Sequence, residues 1–86
     1  MITAEEITEM VTQGIVDASV HLEDLTGGQD HWSATIISDA FAGVSRVRQH
    51  QMVYATLAEP LKGPLHALQL RTLTQEQARE AGLLEN

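Results

Sequence analysis

The sequence predicts a small α+β domain in the order α-β-β-α-β-α, with helices packed on one face of a three-stranded mixed sheet. Three observations carry this prediction. Apolar residues alternate along the chain between helical spacing and a period of two. Capping-box patterns head the first and last helical segments, Thr3 with Glu6 and Thr74 with Gln77. The third strand follows the second through a full helix, a crossover that joins parallel strands.

The first helix is expected over Thr3 to Gln13, because Ile7, Met10 and Val11 fall at i, i+3 and i+4 and Glu5 and Glu6 suit its positive end. Gly14 is the expected left-handed C-cap. Ala18 to Leu25 reads as a strand with Val20 and Leu22 inward and His21 and Glu23 outward. The run Thr26-Gly27-Gly28-Gln29-Asp30 is a loop by composition, and His31 to Ser38 completes a hairpin, with Trp32, Ala34 and Ile36 on one face. Ser45 is placed to cap a helix running to about Glu59, whose stripe reads Val47, His50, Tyr54, Leu57 and Leu61. Gly63-Pro64 ends that segment, Leu65 to Leu73 alternates as the third strand, and Thr74 opens the last helix.

Composition narrows the function. At 86 residues the chain is expected to form a single domain, 1–86, with a thin core. Cys is absent, which excludes disulfides, thiolate metal ligands and a Cys nucleophile, and favours a reducing, cytoplasmic setting. No apolar stretch approaches the ~20 residues that span a bilayer, and Met1–Glu6 lacks the basic start of a signal peptide. Twelve acidic residues against five basic ones give a net charge of −7, which opposes nucleic-acid binding, since that affinity comes from Lys and Arg on phosphates. No Gly-x-Ser-x-Gly, P-loop or dinucleotide fingerprint is present, and Glu5, Glu6 and Glu9 read as a solvated helix face, so the chain reads as a non-enzyme.

Phe41-Ala42-Gly43, the run Ser45-Arg46-Val47-Arg48-Gln49-His50-Gln51-Met52-Val53-Tyr54, Leu57-Ala58-Glu59, Leu65-His66-Ala67-Leu68 and Thr72-Leu73-Thr74 together resemble the BolA family. Val20-His21-Leu22-Glu23-Asp24 and His31-Trp32 extend the likeness over nearly the whole chain. The resemblance implies a fold like the type II KH domain and partnership with a monothiol glutaredoxin. In that partnership the two proteins and glutathione hold a bridging [2Fe–2S] cluster, to which the BolA-like chain contributes nitrogen ligands; the isolated chain is expected to hold no cofactor. Iron–sulfur cluster trafficking and iron or redox regulation are the roles implied. This chain departs from many relatives in carrying Gln49-His50 where they have Arg-His, and in lacking a Trp after Thr74-Gln75-Glu76.

The four histidines carry the site question, because imidazole can replace thiolate at cluster iron. Read alone, His66 is a strand-end residue able to satisfy a loop carbonyl; the resemblance, through His66-Ala67-Leu68, makes it the expected metal ligand. His31 is the expected second ligand, since relatives present a Cys or His from this loop; its alternative is an ordinary strand-start histidine beside Trp32. His21 pairs with Glu23 as a solvated surface residue, and His50, lying on the apolar stripe, is expected to be a hydrogen-bonded core residue. The alternative function is a KH-like nucleic-acid-binding regulator using Arg46 and Arg48. It lacks the Gly-x-x-Gly loop of a KH module, because no two glycines have that spacing.

Overall fold

The computed structural model describes residues 1–84. Its elements are α1 (Ala4–Gly14), β1 (Ser19–Asp24), β2 (His31–Ile37), α2 (Arg46–Thr56), β3 (Ala67–Leu73) and α3 (Gln75–Glu80), with 3-10 turns at Asp39–Phe41 and Pro60–Lys62. The expected α-β-β-α-β-α order holds. The sheet runs β1-β2-β3, with β1 antiparallel and β3 parallel to the central β2.

Local chemistry sets the helix starts. Thr3 accepts from the Glu6 backbone N–H at 3.1 Å while the Glu6 carboxylate accepts from the Thr3 N–H at 3.1 Å. Ile2 precedes this cap and Ile7 follows in the first turn; both are buried in the core, the arrangement of a hydrophobic staple. Thr74 and Gln77 form the same reciprocal pair at α3. Trp32, Ala34 and Ile36 of β2 meet Ile7 and Val11 of α1 and Val53 of α2 in one core, joined by Phe41, Leu57 and Leu65. The other sheet face carries cross-strand rows His21–Thr35–Arg71 and Glu23–Ser33–Gln69, which are polar and open to solvent.

Three expectations need correction. Gly14 does not cap α1 in a left-handed turn: it stays helical, Ile15 takes the extended cap position and Asp17 holds the positive φ of 53°. Glycine is needed there for a different reason, since a Cβ would lie 2.5 Å from Thr56 Cγ2 where α1 approaches α2. Secondly, α2 stops at Thr56 rather than near Glu59. Pro60 has no N–H to give the Thr56 carbonyl, so the chain leaves the helix and resumes as a 3-10 turn.

The third correction is the phase of α2. Val47 is 67% exposed and Tyr54 39% exposed, whereas Gln49, Val53 and Leu57 are buried. The buried stripe contains a polar residue because Gln49 is fully satisfied. Its Nε2 donates to the Phe41 and Val44 carbonyls at 3.1 and 2.8 Å, and its Oε1 accepts from the Thr72 hydroxyl at 2.6 Å. One amide thereby ties α2 to the preceding turn and to β3. Replacing Gln49 with Leu keeps the volume but strands these partners. The expected loss is about 1–3 kcal/mol, read as a lower urea midpoint at unchanged slope.

Candidate functional site

The β1–β2 loop is built around one carboxylate. Asp24 Oδ1 accepts from the Gly27 N–H at 3.0 Å, and its Oδ2 accepts from the Gln29 N–H at 3.1 Å. Gly27 and Gln29 take left-handed backbone, with φ of 81° and 56°. Gly27 adopts this conformation at no steric cost. The Ile2 N–H donates to the Gln29 carbonyl at 2.9 Å and the Leu25 N–H to the His31 carbonyl at 2.9 Å, so the loop is held at both ends.

The next residue joins this loop to β3. The Asp30 carbonyl accepts from the backbone N–H groups of His66 and Ala67 at 2.8 and 3.3 Å, and the parallel register opposes His31 to Ala67. His31, opening β2, and His66, immediately before β3, are therefore neighbours although 35 positions separate them in the chain. Their ring centroids lie 6.0 Å apart, tilted by 52°. His66 is exposed and His31 half-buried.

Asp30 is the residue that the sequence reading missed. Its Oδ1 sits 3.0 Å from His31 Nδ1 and accepts from the Thr26 hydroxyl at 3.1 Å. The Asp30 carboxyl is held below its ordinary range, first by the His31 contact, against the opposing effect of desolvation, and further by Thr26 and the two nearby imidazoles. Since the folded value is the lower one, this contribution to stability is present above the ordinary carboxylate pKa and is lost as pH falls through the depressed one. The signal was the juxtaposition Asp30-His31 itself: a carboxylate against one imidazole nitrogen leaves the other to a metal, the carboxylate–histidine–metal arrangement. Two imidazoles at this separation can offer one nitrogen each to a single iron. Among the described residues no group of three or more His, Cys, Asp and Glu side chains is arranged to hold a metal ion unaided, so remaining ligands would come from elsewhere.

The other two histidines lie apart. His21 is exposed on the open sheet face opposite Thr35. His50 is not the core residue expected from the spacing. It is half-buried, stands edge-on to Tyr54 with centroids 6.3 Å apart, and lines a cleft with Arg46 and Arg71. The phase shift of α2 accounts for this, because burying Gln49 turns His50 towards the edge of the helix–sheet interface.

This fold and sequence recur in known proteins. The family model described as BolA-like protein matches residues 7–77. A BolA-like protein 1 from Homo sapiens is 39% identical over 59 residues, covering 69% of this chain and 43% of that protein. The DNA-binding transcriptional regulator BolA of Escherichia coli is 38% identical over 60 residues, covering 70% of this chain and 57% of that one. The matched region is thus about half the length of both curated relatives. A BolA homologue from Coxiella burnetii superposes with a TM-score of 0.79 at 25% identity, covering 92% of this chain and 99% of that structure. With the family model spanning most of its length, the chain belongs to the BolA-like family.

Proposed function

We propose that this chain is an interaction protein that binds a monothiol glutaredoxin and co-ligates a bridging [2Fe–2S] cluster, with His66 and His31 as its nitrogen ligands. The observation that carries this reading is the approach of the two rings to 6.0 Å, with Asp30 against the inner nitrogen of His31. The chain has no thiol, so the sulfur ligands come from the glutaredoxin cysteine and glutathione. Neutral imidazole in place of thiolate lowers the negative charge of the cluster and raises its reduction potential relative to an all-thiolate site. The protein's part is to orient two imidazoles. The Asp24 loop fixes the position of His31, and the Asp30 carbonyl fixes the start of β3 beside it. Only unprotonated imidazole donates to iron, so the complex is expected to lose its cluster in acid. Iron–sulfur trafficking or iron and redox regulation in the cytoplasm, without catalysis by this chain, is the role we assign to the complex.

The second reading is nucleic-acid binding, favoured by the name of the Escherichia coli relative and by the exposed Arg46 and Arg48 at the start of α2. One titration separates the two. With calorimetry at physiological salt, a monothiol glutaredoxin is expected to bind and duplex DNA to give no measurable heat. Strongly salt-dependent DNA binding without glutaredoxin binding would reverse the ranking.

A further inference from the structure

The sheet ends at β1, whose outer edge has no neighbouring strand. The Leu25 N–H donates to the His31 carbonyl at 2.9 Å, which sets the phase of the antiparallel ladder: odd-numbered residues of β1 turn their backbone groups towards β2. The N–H and C=O groups of Val20, Leu22 and Asp24 therefore point away from the sheet, and among the described residues none of them has a hydrogen-bond partner. The usual defences of a sheet edge are missing, since β1 has no proline, no lysine and an unbroken register with β2. Two acids do lie on it. The Asp24 carboxylate is committed to its own loop through Gly27 and Gln29, which leaves Glu23, exposed on the open sheet face beside His21.

We propose that this edge pairs with the β1 edge of a second copy of the chain, antiparallel and two-fold symmetric about Leu22. Only outward-facing groups can bond across the new edge, so even-numbered residues oppose even-numbered ones. Centred on Leu22, the register opposes Val20 to Asp24 of the second copy and Leu22 to its own counterpart, and every free group of the edge is bonded. On the open face the same register sets His21 opposite Glu23 of the second copy, an unlike pair that recurs in each half. The neighbouring two-fold register, centred on His21, opposes the two imidazoles to each other and carries Asp24 past the end of the other strand. The side-chain pattern thus selects one register. It also selects a copy of the chain, because an unrelated extended peptide would satisfy the backbone without supplying the pair in both halves. On the helix side Leu22, half-buried in the single chain, meets its counterpart. β2 separates this edge from β3, so His66 stays uncovered. One strand pair buries well under the ~1,200 Å² of a stable interface, so the dimer is weak, with a Kd of roughly 0.1–1 mM.

The test uses the chain alone, without glutaredoxin or iron, so its outcome is independent of the cluster reading. The chain has no Cys, so Ser19→Cys, at an exposed position of the edge, takes a single nitroxide label. Labelled chain is mixed with 15N-labelled wild type, and line broadening between copies is read by NMR. The register sets Ser19 opposite Leu25 of the second copy, so broadening is expected to be strongest at residues 23–25 and to fall away across β2 and β3. Sedimentation equilibrium is expected to show association of wild type and about tenfold weaker association of His21→Glu, which sets two carboxylates against each other in each half. Adding Glu23→Lys chain to His21→Glu chain should restore association, because the mixed dimer brings ammonium to carboxylate at one end and His21 to Glu23 at the other. Both positions are exposed, and an unchanged amide spectrum away from β1 shows that the variants are folded. A chain that stays monomeric above about 1 mM would overturn the proposal. So would broadening centred away from β1, or association that the charge changes neither weaken nor restore.

Discussion

Replacing His66 with Ala is expected to abolish the visible and EPR spectra that distinguish the mixed glutaredoxin complex, while the chain stays folded. The side chain is exposed, and the bond that ties this position to the loop comes from its backbone N–H to the Asp30 carbonyl, which Ala keeps. The substitution therefore removes a ligand and leaves the scaffold. Losing a residue that merely orients a ligand costs about 10–100-fold in metal affinity, so losing the ligand should cost more than ~100-fold. His31→Ala should weaken or shift the spectra, since a neighbouring donor or water can take the vacated position. His21→Ala, on the open sheet face, should leave them unchanged. Spectra identical to wild type in the His66→Ala complex would contradict the ligand assignment, even if the two proteins still bound each other.

Ile36→Ala should be strongly destabilising. Ile36 is fully buried on the central strand, opposite Val20 on β1 and Thr72 on β3, and faces the helices across the core. Removing its side-chain carbons forfeits their burial and leaves a cavity that close packing cannot fully collapse, at about 2–5 kcal/mol. In a domain whose total stability is of order 5–15 kcal/mol, that corresponds to a fall in Tm of roughly 10–30 °C. Val47→Ala is the informative contrast. A helix stripe read from apolar spacing places Val47 in the core, whereas it is exposed and should change stability by no more than about 0.5 kcal/mol. Comparable losses in the two variants would mean that α2 is rotated from the arrangement described.

What was legible in the sequence was local. Thr3 with Glu6 and Thr74 with Gln77 announce their helices because a cap is made by residues three apart. Trp32, Ala34 and Ile36 announce their strand because alternation is a property of the backbone. The phase of α2 was not legible. Gln49 is buried by partners at Phe41, Val44 and Thr72, one of them 23 positions away, and hydropathy alone assigns a glutamine to the surface. The same error misplaced His50. Gly14 misled for a related reason: its need for glycine comes from Thr56 on another helix, not from its own turn. As for the site, neither histidine signals the other by spacing. Their proximity is produced by the parallel register of β2 and β3, which spacing along one chain does not encode, so the resemblance had to supply the pair. The Asp30-His31 juxtaposition was legible, but the role of Asp30 follows only once the fold brings its carboxylate within 3.0 Å of His31 Nδ1.

The central claim, nitrogen ligation by this chain, is tested most directly by pulsed EPR on the reduced mixed complex. The chain is prepared with 15N-labelled histidine and the glutaredoxin and glutathione unlabelled. Hyperfine couplings from two directly bound 15N nuclei are predicted, reduced to one in the complex made with His31→Ala. A cluster showing no coupling to 15N would mean that sulfur or the partner's own residues complete the iron site, and would contradict the account.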